Sequence, residues 1–128
     1  MAPGGIGPAP HPPRYTIPVV IEPRVIDLSA AAPVSHDPGV LDREAEVADT
    51  RWALVEYSPG SGREDWCDTP HAGVVISGQI TYEFDDGRDP MRIHTGEAFA
   101  LPPEPRHRGR NEGTERARLF IIDALPGS

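Results

Sequence analysis

Apolar and polar side chains alternate in short runs over much of this chain, and glycine, proline or aspartate closes each run. Trp-Ala-Leu-Val-Glu-Tyr at 52–57 predicts a strand, stopped by Ser58-Pro59-Gly60. His-Ala-Gly-Val-Val-Ile-Ser at 71–77 predicts another, broken by Gly78. Residues 79–84 alternate as a further strand, with Asp85-Asp86-Gly87 as its hairpin turn. A short strand is expected over 90–94. Ala98 to Leu101 forms another that Pro102-Pro103 must stop, and 116–124 follows a turn on Asn111-Glu112-Gly113. His107 then falls just past the end of one strand and just before the next.

The N-terminal half is less regular. Residues 15–20 and 24–28 are β-branched runs interrupted by prolines and read as edge strands, because proline cannot donate to a central ladder. Residues 29–47 hold Pro33, Pro38 and Gly39 and are expected to be loop, with one or two helical turns over 41–48. The acidic residues Asp42, Glu44, Glu46 and Asp49 there read as a wetted surface. Residues 1–14 are rich in proline and glycine and read as a flexible arm, leaving 15–125 as one folded domain. Short strands with turn residues between them and no long helical period define an all-β sandwich or barrel.

Charge narrows the partners. A net charge of −8 argues against nucleic acid or a membrane surface, since both need a clustered positive field. Arg106, Arg108 and Arg110 are a local exception. Alternation on an extended segment sets them on one side and His107 on the other, either as a solvated basic edge or as an anion-holding rim. The single cysteine, Cys67, excludes an intramolecular disulfide and fits a reducing cytoplasm. No run has the length of a membrane span, and the start does not have the pattern of a signal peptide. A cytoplasmic protein is expected.

Several residues are candidates for chemistry. A strand glutamate that faces a barrel interior has a raised pKa and can act as a base; Glu56 and Glu83 qualify only if they face inward. Gly73 either leaves room for a ligand or marks a close backbone approach. Cys67 reads as a small buried hydrophobe or as a ligand.

Gly96, Pro102, His107 and Asn111 stand at the spacing of the second motif of the cupins, with Glu104 in place of that motif's second glycine. The segment Trp66-Cys67-Asp68-Thr69-Pro70-His71 is similar to a His-Cys-Asp-x-Pro-His run in a cupin subgroup, with Trp66 where that subgroup has histidine. The chain therefore resembles the cupin superfamily. The resemblance implies an all-β double-stranded β-helix, a jelly-roll-like barrel. Counting back from Gly78, His71 takes the glutamate position of the first motif. The two upstream histidine positions fall on Glu64 and Trp66, or on Asp65 and Cys67.

In metal-binding cupins these positions hold a divalent metal. Carried over, His71 and His107 are the ligand candidates, with Glu64, Asp65 or Cys67 as the third. A carboxylate third ligand suits iron, manganese, zinc or nickel, and a thiolate tilts the site to zinc or copper. His107 and His71 are also the catalytic candidates, while Trp66, Phe99, Glu56 and Arg106 are the candidates for substrate contact. The resemblance implies a small-molecule enzyme of isomerase, cyclase, lyase or oxygenase type acting in the barrel mouth. Its alternative is a non-catalytic ligand-binding cupin with a degenerate metal site. A homodimer formed through the N-terminal strands is expected.

Overall fold

The structure is a computed structural model that describes residues 22–124. Nine strands follow one short 3-10 turn, Leu28–Ala30. They are β1 (Val34–Asp37), β2 (Val40–Val47), β3 (Thr50–Tyr57), β4 (His71–Ser77), β5 (Gln79–Phe84), β6 (Met91–His94), β7 (Ala98–Leu101), β8 (His107–Arg110) and β9 (Ala117–Ala124). A six-stranded sheet has the order β1-β2-β3-β9-β4-β7, and a three-stranded sheet has the order β6-β5-β8. The fold is the all-β cupin barrel that the sequence implied. Among the described residues no helix is long and apolar enough to cross a membrane.

The core lies between the sheets and follows the period of two along each strand. Ala117, Leu119, Ile121 and Asp123 of β9 are buried, while Arg118, Phe120 and Ile122 between them are only half-buried on the opposite face. Because β9 pairs with both β3 and β4, Leu119 sits fully buried at the centre of the large sheet. Burial of one such side chain contributes about 1.5–3 kcal/mol. Gly73 is the close-approach case. A Cβ there would lie 2.7 Å from the Phe99 ring and 2.6 Å from the Phe120 carbonyl oxygen, so no space is left for a ligand.

The N-terminal expectations need correction. Residues 34–47 form the β1–β2 hairpin rather than loop and helical turns. Its turn is Pro38-Gly39, with Gly39 at a φ of 79° and its position crowded by Ser58 Oγ. Val-Leu-Asp-Arg-Glu-Ala-Glu-Val has helical propensity, but full pairing of Val40–Val47 with β3 overrides it. Of the acidic residues there, Asp42 is buried and paired with Arg63 and Arg51, and Glu44 pairs with Arg51, while Glu46 and Asp49 are exposed as expected. Residues 24–28 are not a strand. The segment turns at Leu28–Ala30, where Ser29 Oγ donates to the Asp27 carboxylate, and Arg43 Nη1 holds the Ala31 carbonyl at 2.8 Å. The expectations for residues 1–14 and 15–20 lie outside the described residues.

His107 does not lie between strands but opens one, β8, paired with β5. Asn111 follows directly on that strand. Its side-chain amide donates to the Tyr57 and Glu115 carbonyls and accepts from Gly113 N–H, so it anchors the turn into β9.

The outer face of the six-stranded sheet is apolar in two adjacent rows. One row runs Ala45, Trp52, Ile122, Ala72 and Ala100, and the next contains Leu54, Phe120, Val74 and Ala98. Trp52 and Phe120 pack edge to face across it, and Ile76 stands 44% exposed beside it.

Candidate metal centre

Three elements converge at one end of the barrel. His71 opens β4, where inward parity points it between the sheets. His107 opens β8 in the facing sheet and is 1% exposed. Cys67 lies on the connection from β3 to β4, and a pair of backbone hydrogen bonds holds it opposite His107 (Cys67 N–H to His107 O 2.8 Å, His107 N–H to Cys67 O 3.0 Å). The two imidazole rings meet edge to face at 4.7 Å.

The donor atoms of Cys67, His71 and His107 all lie within 4.8 Å of one another. Metal–ligand lengths of about 2.0–2.3 Å at a tetrahedral centre place its ligand atoms roughly 3.4–3.7 Å apart. The Cys67 Sγ to His71 Nε2 separation is already 3.8 Å. Both ring nitrogens of His107 are buried without a hydrogen-bond partner. A buried unsatisfied imidazole is costly, and a metal would satisfy one of the two nitrogens. The residues present therefore fit a metal ion.

The local electrostatics suit this donor set. The His107 and His71 imidazoles, against the effect of burial, hold the Cys67 thiol down to about 5. His107 acts here as a near neighbour within the 4.8 Å cluster rather than through a well-formed hydrogen bond. Burial alone would lower the His71 pKa, but the Asp123 carboxylate and Cys67 outweigh it and push the imidazole up to about 9. Asp123 Oδ1 lies 2.6 Å from His71 Nδ1, and the other Asp123 oxygen pairs with Arg51.

Cys67, His71 and His107 border a cavity of about 920 Å³. Val55, Tyr82 and Ile121 supply an apolar part of its wall, and Asp42, Arg51 and Arg63 supply a charged part. Asp42 accepts from Arg63 Nη2 at 2.8 and 3.1 Å and lies 3.6 Å from Arg51. Trp66 is at the cavity edge, covered by the Arg108 guanidinium 4.1 Å from its ring centre. Burial raises the Tyr82 pKa well above its usual value, so its hydroxyl stays protonated beside His107, with ring centres 5.8 Å apart.

The structure brings together His71, His107, Cys67 and Trp66, and it corrects the other candidates. Glu64 is exposed outside the cluster, with its backbone tied to Asp37 and Arg108. Asp65 reaches the cavity rim but is exposed and outside the donor cluster. Of the two motif spacings, the shorter one contains the residue that joins the cluster, Cys67. Glu56 has outward parity on β3 and pairs with Arg118 at 3.4 Å. Glu83 likewise faces outward toward Arg108 and Arg110. Phe99 is core, packed on Tyr82 at 5.2 Å. Arg106 pairs with Asp85 on an exposed turn, and Arg108, one strand period later, reaches the cavity instead.

Asp123, Arg51, Asp42, Arg63 and Tyr82 escaped the sequence reading. Asp123 had a readable signal, since it is the acidic member of the inward series Ala117, Leu119, Ile121, Asp123.

The two-sheet barrel carries at its end a cysteine–histidine cluster that could hold a metal ion. The sequence model of the cupin domain family matches residues 53–123, more than half of the chain, and the chain belongs to that family. No curated protein matches the chain in sequence. Among solved structures it is similar to the polyketide cyclase RemF from Streptomyces resistomycificus, at 14% identity and a TM-score of 0.69, covering 80% of each chain. It is also similar to a conserved protein with a double-stranded β-helix domain from Klebsiella pneumoniae, at 18% identity and a TM-score of 0.67, covering 84% of this chain and 88% of that one. A cupin sugar phosphate isomerase from Silicibacter pomeroyi gives 16% identity and a TM-score of 0.63, covering 79% and 75%. At these identities the likeness is one of fold.

Proposed function

We propose that this cupin is a small-molecule enzyme with a single divalent metal held by Cys67, His71 and His107. The observation that carries the reading is the buried His107, which has no hydrogen-bond partner at either ring nitrogen and contributes one of them to the three-donor cluster. A thiolate with two imidazoles suits zinc. A metal in this donor set supplies Lewis acidity toward a substrate oxygen.

The chain's own residues set the rest. The cavity is within the size range of small-molecule sites, about 300–1,000 Å³. Val55, Ile121 and the ring of Tyr82 receive apolar surface, and the Tyr82 hydroxyl, kept protonated by burial, donates to a substrate oxygen near His107. Trp66 under Arg108 closes one side against water. These features favour isomerisation, cyclisation or elimination next to a carbonyl group, on a substrate with apolar body and several oxygens. A polyketide cyclase and a sugar phosphate isomerase among the neighbours of the same fold are consistent with that class.

The test is turnover of carbonyl probes, polyketone and sugar phosphate, by protein reconstituted with zinc. Conversion lost in His107→Ala supports the reading. A second reading, ligand binding without catalysis, is favoured by Trp66 standing where a related subgroup has histidine. Probe binding without conversion would select it.

The apolar outer face of the six-stranded sheet favours a homodimer. It carries only Arg43, Glu56 and Arg118 as charged residues near its apolar rows, on a chain of net charge −8. Copies that repel elsewhere can approach there.

A further inference from the structure

Arg51, Asp123 and His71 form one cross-strand row. Arg51 of β3 is the register partner of Asp123 of β9, which is in turn the register partner of His71 of β4. All three have inward parity, so their side chains stand side by side on the cavity wall. Asp123 is 7% exposed at its side chain and uses one oxygen for each neighbour, His71 Nδ1 at 2.6 Å and Arg51 Nη1.

An imidazole can present either nitrogen to a metal, and the bond made by the other nitrogen decides which. Here Nδ1–H donates to Asp123, and Nε2 is left toward Cys67 Sγ. Arg51 fixes the carboxylate that makes this choice. Arg51 also lies 3.6 Å from Asp42, which receives Arg63 at 2.8 Å. Arg63 belongs to the connection that carries Cys67, and its backbone N–H donates to Gly109 of β8. The charged wall therefore links His71 on one sheet to the segment that brings Cys67 to the other.

We infer that Asp123, braced by Arg51, is the positioning residue that presents His71 Nε2 to the metal, an inference that rests on the proposed centre at Cys67, His71 and His107. A purely structural ion pair would affect folding stability and leave metal affinity unchanged. Positioning predicts the reverse emphasis.

The experiment is titration of the metal-free full chain with cobalt(II), followed by its d–d and thiolate charge-transfer absorption. Asp123→Asn, Arg51→Met and the core variant Leu119→Ala are compared with wild type, with thermal melting recorded for each. Loss of such an outer partner typically weakens metal binding by about 10–100-fold, and this is expected for Asp123→Asn. The thiolate band should persist at saturation because Cys67 still ligates. Arg51→Met should bind more weakly than wild type and more tightly than Asp123→Asn, and it carries the test if Asp123→Asn does not fold. Leu119→Ala should melt earlier yet keep wild-type affinity. Wild-type affinity in Asp123→Asn or, failing its folding, in Arg51→Met overturns the positioning role alone, and a wild-type chain that takes up no cobalt overturns the metal centre together with it.

Discussion

Cys67 and His107 hold each other by two backbone hydrogen bonds, 2.8 and 3.0 Å, although one lies on an irregular connection and the other opens a strand. The bridge fixes the thiol beside the buried imidazole before any ligand binds. Arg63, clamped by Asp42, secures the same connection four residues earlier. Removing the partner of a buried charge commonly costs about 3–5 kcal/mol, and partial exposure of Arg63 places Asp42→Asn at or below the lower end. The variant should therefore lose about 3 kcal/mol or less in urea unfolding. Alkylation of Cys67 should also become faster as the connection loosens.

The metal-free site is an ion pair across a wide pH range. The Cys67 pKa falls from 9.0 to about 5, so its stabilisation is full above 9 and is lost as pH falls through 5. The His71 pKa rises from 6.5 to about 9, so its stabilisation is full below 6.5 and is lost as pH rises through 9. Together the thiolate and imidazolium coexist between these limits, and the metal-free protein should be most stable within them. Thiolate ultraviolet absorbance should appear with a midpoint near 5. His71→Gln should move that midpoint upward, and an unmoved midpoint would count against the pairing.

The apolar outer rows predict a homodimer in sedimentation equilibrium. Ile76→Glu places a charge at the exposed edge of that face without touching the core. Loss of one buried apolar side chain, about 1.5–3 kcal/mol, corresponds to at least tenfold weaker association. A concentration-independent monomer for the wild-type chain would sink this interface.

Leu119 tests the core directly. It is fully buried on the strand shared by β3 and β4, so Leu119→Ala should destabilise the fold by about 2–5 kcal/mol. Denaturant unfolding measures this, and a loss below 1 kcal/mol would show that the large sheet packs elsewhere (about 1 kcal/mol is ordinary for a non-core site).

The strands with apolar runs and clear stops, such as His71–Ser77 and Ala98–Leu101, were legible because hydrophobic pattern and turn residues agree there. Val40–Val47 was not, because its helical propensity and many charges hide a strand whose Glu44 is matched by Arg51 of the next strand and whose Asp42 is matched by Arg63, 21 residues on. Greater separation hid most of the site, as with Asp123, 52 residues from His71 and 72 from Arg51. Motif spacing gave His71 and His107, and it offered Cys67 among three alternatives. Register then decided the rest: one residue of parity turns Glu56 away from the cavity and turns Asp123 toward it, while Arg106 lies before β8 and is drawn to Asp85. Phe99 fell in the core because glycine at position 73 admits its ring.

The most direct measurement is metal content of the full chain, purified without an affinity tag and reconstituted with zinc, alongside Cys67→Ala, His71→Ala and His107→Ala. The account predicts one bound metal per wild-type chain and its loss, with folding retained, in each variant. A folded wild-type chain that retains no metal, or variants that retain it in full, would contradict the centre at Cys67, His71 and His107.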